Sequence, residues 1–212
     1  VGSYSKHLEA EIATWVIDNP EERSEKLTRE RIRHYGIVKA LLLDKLPTHR
    51  MAILEVGGGP LPVSDLLPFR RRLVVDPCTE SYRTIAPCPD HVDAEIERFA
   101  LRQEWDLIIA TNSLDHVQHV GAALKVMHRA LRPGGYIAIL CAENNALTHP
   151  HPAHEHNITA RTIHAAFDAD YETVWELDYE NDGFRYGWVP FEGKRGQPAF
   201  ALLMRKAGGY SG

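Results

Sequence analysis

The residues best able to do chemistry in this chain form three groups. They are the acid-then-glycine run Glu55-Val56-Gly57-Gly58-Gly59, the separate acids Asp76 and Asp93, and a set of histidines. The histidines are His116 and four in Thr148-His149-Pro150-His151-Pro152-Ala153-His154-Glu155-His156-Asn157. Consecutive glycines let a backbone turn sharply and approach a ligand that any Cβ would hold off. A carboxylate about 20 residues further on is what a βαβ unit offers to ribose hydroxyls, and Asp76 stands nineteen residues after Gly57. A neutral imidazole takes up a proton near neutral pH, so His116 is a candidate general base, with Asp115 beside it able to orient the ring. The alternative for His116 is a ring bonded to backbone that holds its own loop.

The kind of nucleoside follows from what the loop lacks. A dinucleotide fingerprint would place a third glycine at position 62, where the chain has Pro62. A P-loop would end Gly-Lys-Ser/Thr, and here Pro60-Leu61-Pro62-Val63-Ser64 follows the glycines. NAD and ATP are both disfavoured. Glu55 would repel a pyrophosphate, yet it suits a cationic or amino-bearing ligand. S-adenosylmethionine combines a nucleoside with such an arm.

The histidine-rich segment has two readings. Imidazole ligates zinc, copper, iron and nickel, so a metal between His149 and His156 is one. The other is a lid shaped by His-Pro pairs, with rings facing substrate. The lid is favoured and no metal is assigned. His154, midway in the segment, is then an alternative general base, and His149, His151 and His156 are substrate contacts.

Positioning these groups requires alternating strands and helices. Apolar runs predict strands near 51 to 56, 72 to 76, 105 to 110 and 136 to 142, with helical connections between the earlier ones. Asn19-Pro20-Glu21-Glu22 reads as a capped helix start, and helices fill much of residues 4 to 46. Ile37, Leu41, Leu42 and Leu46 share a helical spacing that faces the sheet before Pro47 stops it. Val120, Ala123, Leu124, Met127 and Leu131 mark an amphipathic helix ahead of Pro133-Gly134-Gly135. β-rich stretches at 172 to 179 and 199 to 205 predict a closing hairpin. This alternation argues for a mostly parallel, doubly wound sheet with its ligand at the carboxyl ends of the strands.

The chain resembles the class I S-adenosylmethionine-dependent methyltransferases, particularly their small-molecule branch, over roughly residues 37 to 206. Glu55-Val56-Gly57-Gly58-Gly59 is similar to the family's E/D-x-G-x-G loop and Asp76 to its ribose acid. Val92-Asp93-Ala94-Glu95 is similar to the adenine-contacting turn after the third strand. Trp105-Asp106-Leu107-Ile108-Ile109-Ala110 resembles the fourth strand, leading into Asn112-Ser113-Leu114-Asp115-His116. Leu131-Arg132-Pro133-Gly134-Gly135-Tyr136 resembles the turn into the fifth. The frequent third loop glycine is Leu61 here, a departure in the local loop. The resemblance implies a Rossmann-like, seven-stranded α/β sheet with an antiparallel C-terminal hairpin and an N-terminal helical extension. The chain is then divided into that extension (1–46), the methyltransferase domain (47–206) and a flexible tail (207–212), where Gly208-Gly209-Tyr210-Ser211-Gly212 has no core pattern. The resemblance also implies cofactor contacts from Glu55, Gly57, Gly58, Gly59, Asp76, Pro77, Asp93, Ala94 and Asn112. A His-Pro lid followed by a helix-starting Thr, as in Asn157-Ile158-Thr159, also resembles metal-free members. Thr111-Asn112-Ser113-Leu114 does not match the Asn/Asp-Pro-Pro-aromatic motif of enzymes that methylate amino groups on nucleic acid.

Composition narrows the partners. The 212 residues are 44% apolar, enough for one domain with a core. Lys and Arg total 24 against 29 acids, a net charge of −5, without the basic footprint of a nucleic-acid binder. Arg70-Arg71-Arg72 reads as a solvated strand edge. No apolar run nears the ~20 residues of a membrane span, and no signal-peptide pattern opens the chain. Val1-Gly2-Ser3 lacks an initiator Met and reads as a cloning remnant. Cys78, Cys88 and Cys141 read as unpaired thiols in a reducing compartment, hence a cytoplasmic location. Tyr179, Phe184, Tyr186, Trp188 and Phe191 read as a satellite core, a substrate wall or a homodimer contact. Two functions follow: methyl transfer to a small molecule, at oxygen before nitrogen, or a non-catalytic cofactor-binding subunit or regulator.

Overall fold

The computed structural model describes residues 2–38, 42–142, 156–167, 169–178 and 199–208. Two helices come first, α1 (Gly2–Trp15) and α2 (Pro20–Val38). Asn19 caps α2 as its sequence predicts: Oδ1 accepts the backbone N–H of Glu21 at 2.9 Å and of Glu22 at 3.3 Å, satisfying donors that a helix start leaves open. The strands are β1 (Ala52–Val56), β2 (Arg71–Val75), β3 (His91–Val92), β4 (Trp105–Thr111), β5 (Leu131–Ala142), β6 (Tyr171–Asp178) and β7 (Ala199–Lys206). Between them lie α3 (Thr79–Tyr82), α4 (Val120–Ala130) and α5 (Ala160–Phe167).

The seven strands form one sheet in the order β3-β2-β1-β4-β5-β7-β6. The pairs from β3 through β5 are parallel, and β7 runs antiparallel to both β5 and β6, giving the predicted hairpin. From β1 the order grows outward through β2 and β3, whereas β4 and β5 lie on the other side. The reversal between β1 and β4 opens a crevice beyond their carboxyl ends, where α/β sheets take their ligands.

Side-chain alternation splits the core. Ala52, Leu54 and Val56 face one layer with Ile108, Ile137, Leu202, α4 and α5, while Ile53 faces the other with Leu107, Ile109, Leu203, Leu42 and Leu46. All five residues of β1 are buried, the mark of a strand covered on both faces. Each large apolar side chain so buried contributes about 1.5–3 kcal/mol. Leu42 and Leu46 pack as their spacing predicts; Leu41 and the side chain of Ile37 lie outside the described residues.

Three expectations are corrected. The early connections are not full helices: β1 to β2 holds a four-residue 3-10 turn, Val63–Leu66, and β2 to β3 only the four residues of α3. Pro60, Pro62 and Pro68 bracket the first of these and deny a longer helix its backbone donors. The fifth strand begins at Leu131 instead of 136, because Pro133-Gly134-Gly135 is absorbed as a register shift with Gly134 at φ +75°. Arg72 is no solvated edge: its side chain is 5% exposed and pairs with Asp65 and Asp90.

Candidate functional site

The glycine loop leaves β1 over β2. Gly57 sits at φ +66°, and a Cβ there would lie 2.3 Å from Ser113 Cβ, so the crevice closes only around a glycine. Ser113 Oγ in turn donates to Val56 O at 2.8 Å, tying the end of β4 to that of β1. Gly58 rests on Val74, whose Cγ1 would be 2.6 Å from an added Cβ. Gly59, at φ +59°, has nothing within 4 Å of where its Cβ would be, so the loop presents bare backbone to open space. That is a cradle for a close-approaching ligand.

Glu55 faces away from that space. It is 1% exposed, and its Oε1 and Oε2 accept the N–H groups of Val63 and Ser64, both at 2.8 Å. These are first-turn donors of the 3-10 helix, so the carboxylate caps the segment that returns the loop to the sheet. Burial pushes its pKa up, and the two backbone donors oppose the shift.

Asp76, one residue beyond β2, is 5% exposed; Oδ2 accepts Gly59 N–H at 2.9 Å and Oδ1 accepts Cys78 N–H at 2.8 Å, across Pro77. Burial pushes it up to about 6, against the pull of those two donors. Each carboxylate oxygen retains a further acceptor site, so a pair of ribose hydroxyls can still be taken. Asp93 is exposed, just past β3, with Oδ2 accepting Glu80 N–H at 3.2 Å. Ala94 beside it packs half-buried on the main core. Asn112 holds the left-handed φ of +46° as the chain leaves β4, its N–H bonded to Leu140 O at 2.8 Å.

His116 lies on the opposite wall, flanked by carboxylates. Its Nε2 is 3.6 Å from Oδ2 of the fully buried Asp115, and its Nδ1 is 3.4 Å from Oε2 of Glu11. Glu11 comes from α1, where its other oxygen accepts Trp15 Nε1–H at 3.0 Å. His7, also on α1 and 1% exposed, bonds through Nε2 to His116 O at 2.8 Å. The same helix lays Leu8, Ile12 and Trp15 on Cys78, Tyr82 and Cys88. Thus α1 spans the crevice from the β2 side to the β4 side. Sequence reasoning missed His7 and Glu11, and no local pattern marks them.

Of the histidine-rich segment, His149, His151 and His154 lie outside the described residues, as do Tyr179, Phe184, Tyr186, Trp188 and Phe191. His156 is described: its N–H bonds Asp115 O at 3.3 Å and its Nε2 bonds Val117 O at 2.8 Å, pinning the returning chain to the loop beyond β4. Thr159 then caps α5, Oγ1 accepting Thr162 N–H at 3.1 Å. Among the described residues no cluster of His, Cys, Asp or Glu could hold a metal ion.

Residues 22–176 match the model of a methyltransferase domain family. The chain therefore belongs to that family, the class I S-adenosylmethionine-dependent methyltransferases, and its methyl donor is S-adenosylmethionine. The glycine cradle and the buried Asp76 fit that group. No curated protein matches by sequence. Solved structures match in fold. One is a chain from the complex of the Haloferax volcanii Trm112 methyltransferase activator with a candidate methyltransferase (TM-score 0.67, 14% identity, 93% of this chain and 98% of that one). Another is the N-methyltransferase NodS from Bradyrhizobium japonicum WM9 in complex with S-adenosyl-L-homocysteine (0.58, 17%, 96% and 98%). A third is the Burkholderia thailandensis 1,6-didemethyltoxoflavin-N1-methyltransferase (0.61, 15%, 96% and 90%).

Proposed function

We propose that this chain transfers a methyl group to a small-molecule acceptor, at oxygen before nitrogen, with His116 as general base. The observation that carries the reading is the imidazole held at the β1/β4 crevice with a carboxylate within ion-pair reach of each ring nitrogen. Bound S-adenosylmethionine supplies an already activated methyl, so the protein has mainly to hold donor and acceptor in line and exclude water. A hydroxyl acceptor must also lose its proton. The His116 ring takes it and keeps it beside Asp115 and Glu11. Asp76, Pro77, Asp93, Ala94, Asn112 and the Gly57–Gly59 backbone hold the cofactor, with Glu55 setting the loop from behind. His149 and His151 contact the acceptor and His154 is the alternative base, while His156, expected beside them, gives its Nε2 to Val117 O and anchors the segment instead.

The test is turnover on a panel of hydroxylated and amino-bearing metabolites. His116→Ala is expected to keep cofactor affinity and lose ~10² to 10⁴ in turnover, together with the acidic limb of the pH profile. Unchanged turnover in that variant rejects the base assignment. A second reading, a cofactor-binding subunit that serves a partner, draws on the Haloferax structure, in which a protein of this fold is bound to an activator. Affinity purification that brings down a stoichiometric protein, with activity only in the pair, selects it.

A further inference from the structure

We propose that His91 is a positioning residue of the cofactor site, holding the glycine loop in its binding shape through the Gly59 carbonyl. Its Nε2 lies 3.1 Å from Gly59 O. A carbonyl only accepts, so Nε2 carries the proton and donates it. The N–H of Gly59 donates to Asp76 Oδ2 at 2.9 Å, so the two polar groups of this glycine are gripped, one by β3 and one by the residue after β2.

The sheet places His91 there. In the parallel register Val74 is opposite His91, so the two side chains share a face, and Asp76 lies two residues beyond Val74 on the same face. The loop lies over that face, with Gly58 against Val74. A parallel crossover usually contains an α-helix whose first turn anchors the preceding loop. Here that crossover has only the 3-10 turn Val63–Leu66, and Gly59 is free of regular structure at φ +59°. Side chains therefore do what a helix would otherwise do: Glu55 caps the turn, and His91 with Asp76 fixes the glycine. His91 is 6% exposed and, among the described residues, its Nδ1 has no hydrogen-bond partner, so the ring is committed to Gly59 alone. Burial first, and then the nearby Arg72 guanidinium, favour the neutral ring, in which Nε2 donates and the partnerless Nδ1 carries no proton.

The inference rests on the cofactor assignment, and calorimetric titration of S-adenosylhomocysteine into the full chain tests the two separately. Absence of binding to the wild type overturns both. With binding established, His91→Leu is expected to weaken affinity about five- to tenfold, the loss of one buried hydrogen bond. His91→Gln, whose amide nitrogen overlaps Nε2, is expected to return it to within about twofold. Leu binding as tightly as wild type, or Gln as weakly as Leu at a matched ligand-free thermal midpoint, overturns the proposal. Should the Leu variant fail to fold, His91→Asn replaces it, since its amide overlaps Nδ1 and falls short of Gly59. Weak binding by Asn beside tight binding by Gln supports the role; equal binding by the two overturns it.

Discussion

Asp76 meets two opposed demands. Burial holds its carboxyl up at about 6, while the ribose hydroxyls proposed for it would bind best to the ionised form. Removing it in Asp76→Ala loses a charge-assisted bond of ~1.5 to 3 kcal/mol, roughly one to two decades of affinity, measurable by calorimetry. The pH dependence has a definite sign. The folded value stands above the ordinary aspartate value of 3.8, so the stability contributed by the neutral form is complete below about 4 and is lost as pH rises through about 6. Cofactor binding runs the other way. Affinity is expected to fall as pH drops through about 6, and binding at about pH 5 releases a proton, seen as a heat that varies with buffer ionisation enthalpy. A heat independent of buffer would assign the ribose contact elsewhere.

At the scale of elements, the glycine loop separates stability from binding. Gly57 and Gly59 both sit at positive φ, but their surroundings differ: Ser113 blocks Gly57, whereas Gly59 borders open space. Gly57→Ala combines left-handed strain with a clash against the neighbouring strand's exit, so it should lower stability by about 3 kcal/mol or more, read as a fall in thermal midpoint. Gly59→Ala carries only the strain, about 1–2 kcal/mol, and its methyl stands in the cradle. It is expected to cost more in cofactor affinity than in stability, and a variant that binds normally would move the cofactor off this loop. The short first crossover explains why such small changes matter, since the loop rests on side-chain clamps instead of a helix.

For the whole molecule, α1 is the element that joins the loop beyond β4 to the segment beyond β2, across the carboxyl ends of the strands. It contributes His7 and Glu11 to the His116 wall and an apolar face to Cys78 and Tyr82. A charge of −5, with Glu11 and Asp76 beside the crevice and Asp115 buried behind His116, suits a cationic methyl donor better than a polyanion. If the His149 to His156 segment acts as a metal-free lid, as proposed, turnover survives a chelator. Loss of activity restored by a divalent ion would instead make that segment a metal site. No helix among the described residues is long and apolar enough to cross a membrane.

The amino-acid sequence by itself determined the sheet class, the glycine loop and the acid that closes β2. In each the chemistry lies within a few consecutive residues, and strand, turn and acid follow one another at distances set by a single βα unit. Asn19 as a cap and the α4 stripe were legible for the same reason. Only the tertiary structure decided which groups face one another. Glu55, which the sequence places toward the ligand, turns its carboxylate onto Val63 and Ser64, because the proline-bracketed crossover leaves a 3-10 turn needing a cap. His91 reaches Gly59 across β2, and His7 and Glu11 reach His116 from the other end of the chain. The His91 and α1 contacts join residues 32 to 109 positions apart, and neither period nor motif carries information about a partner at that range; sheet order and the docking of α1 set them.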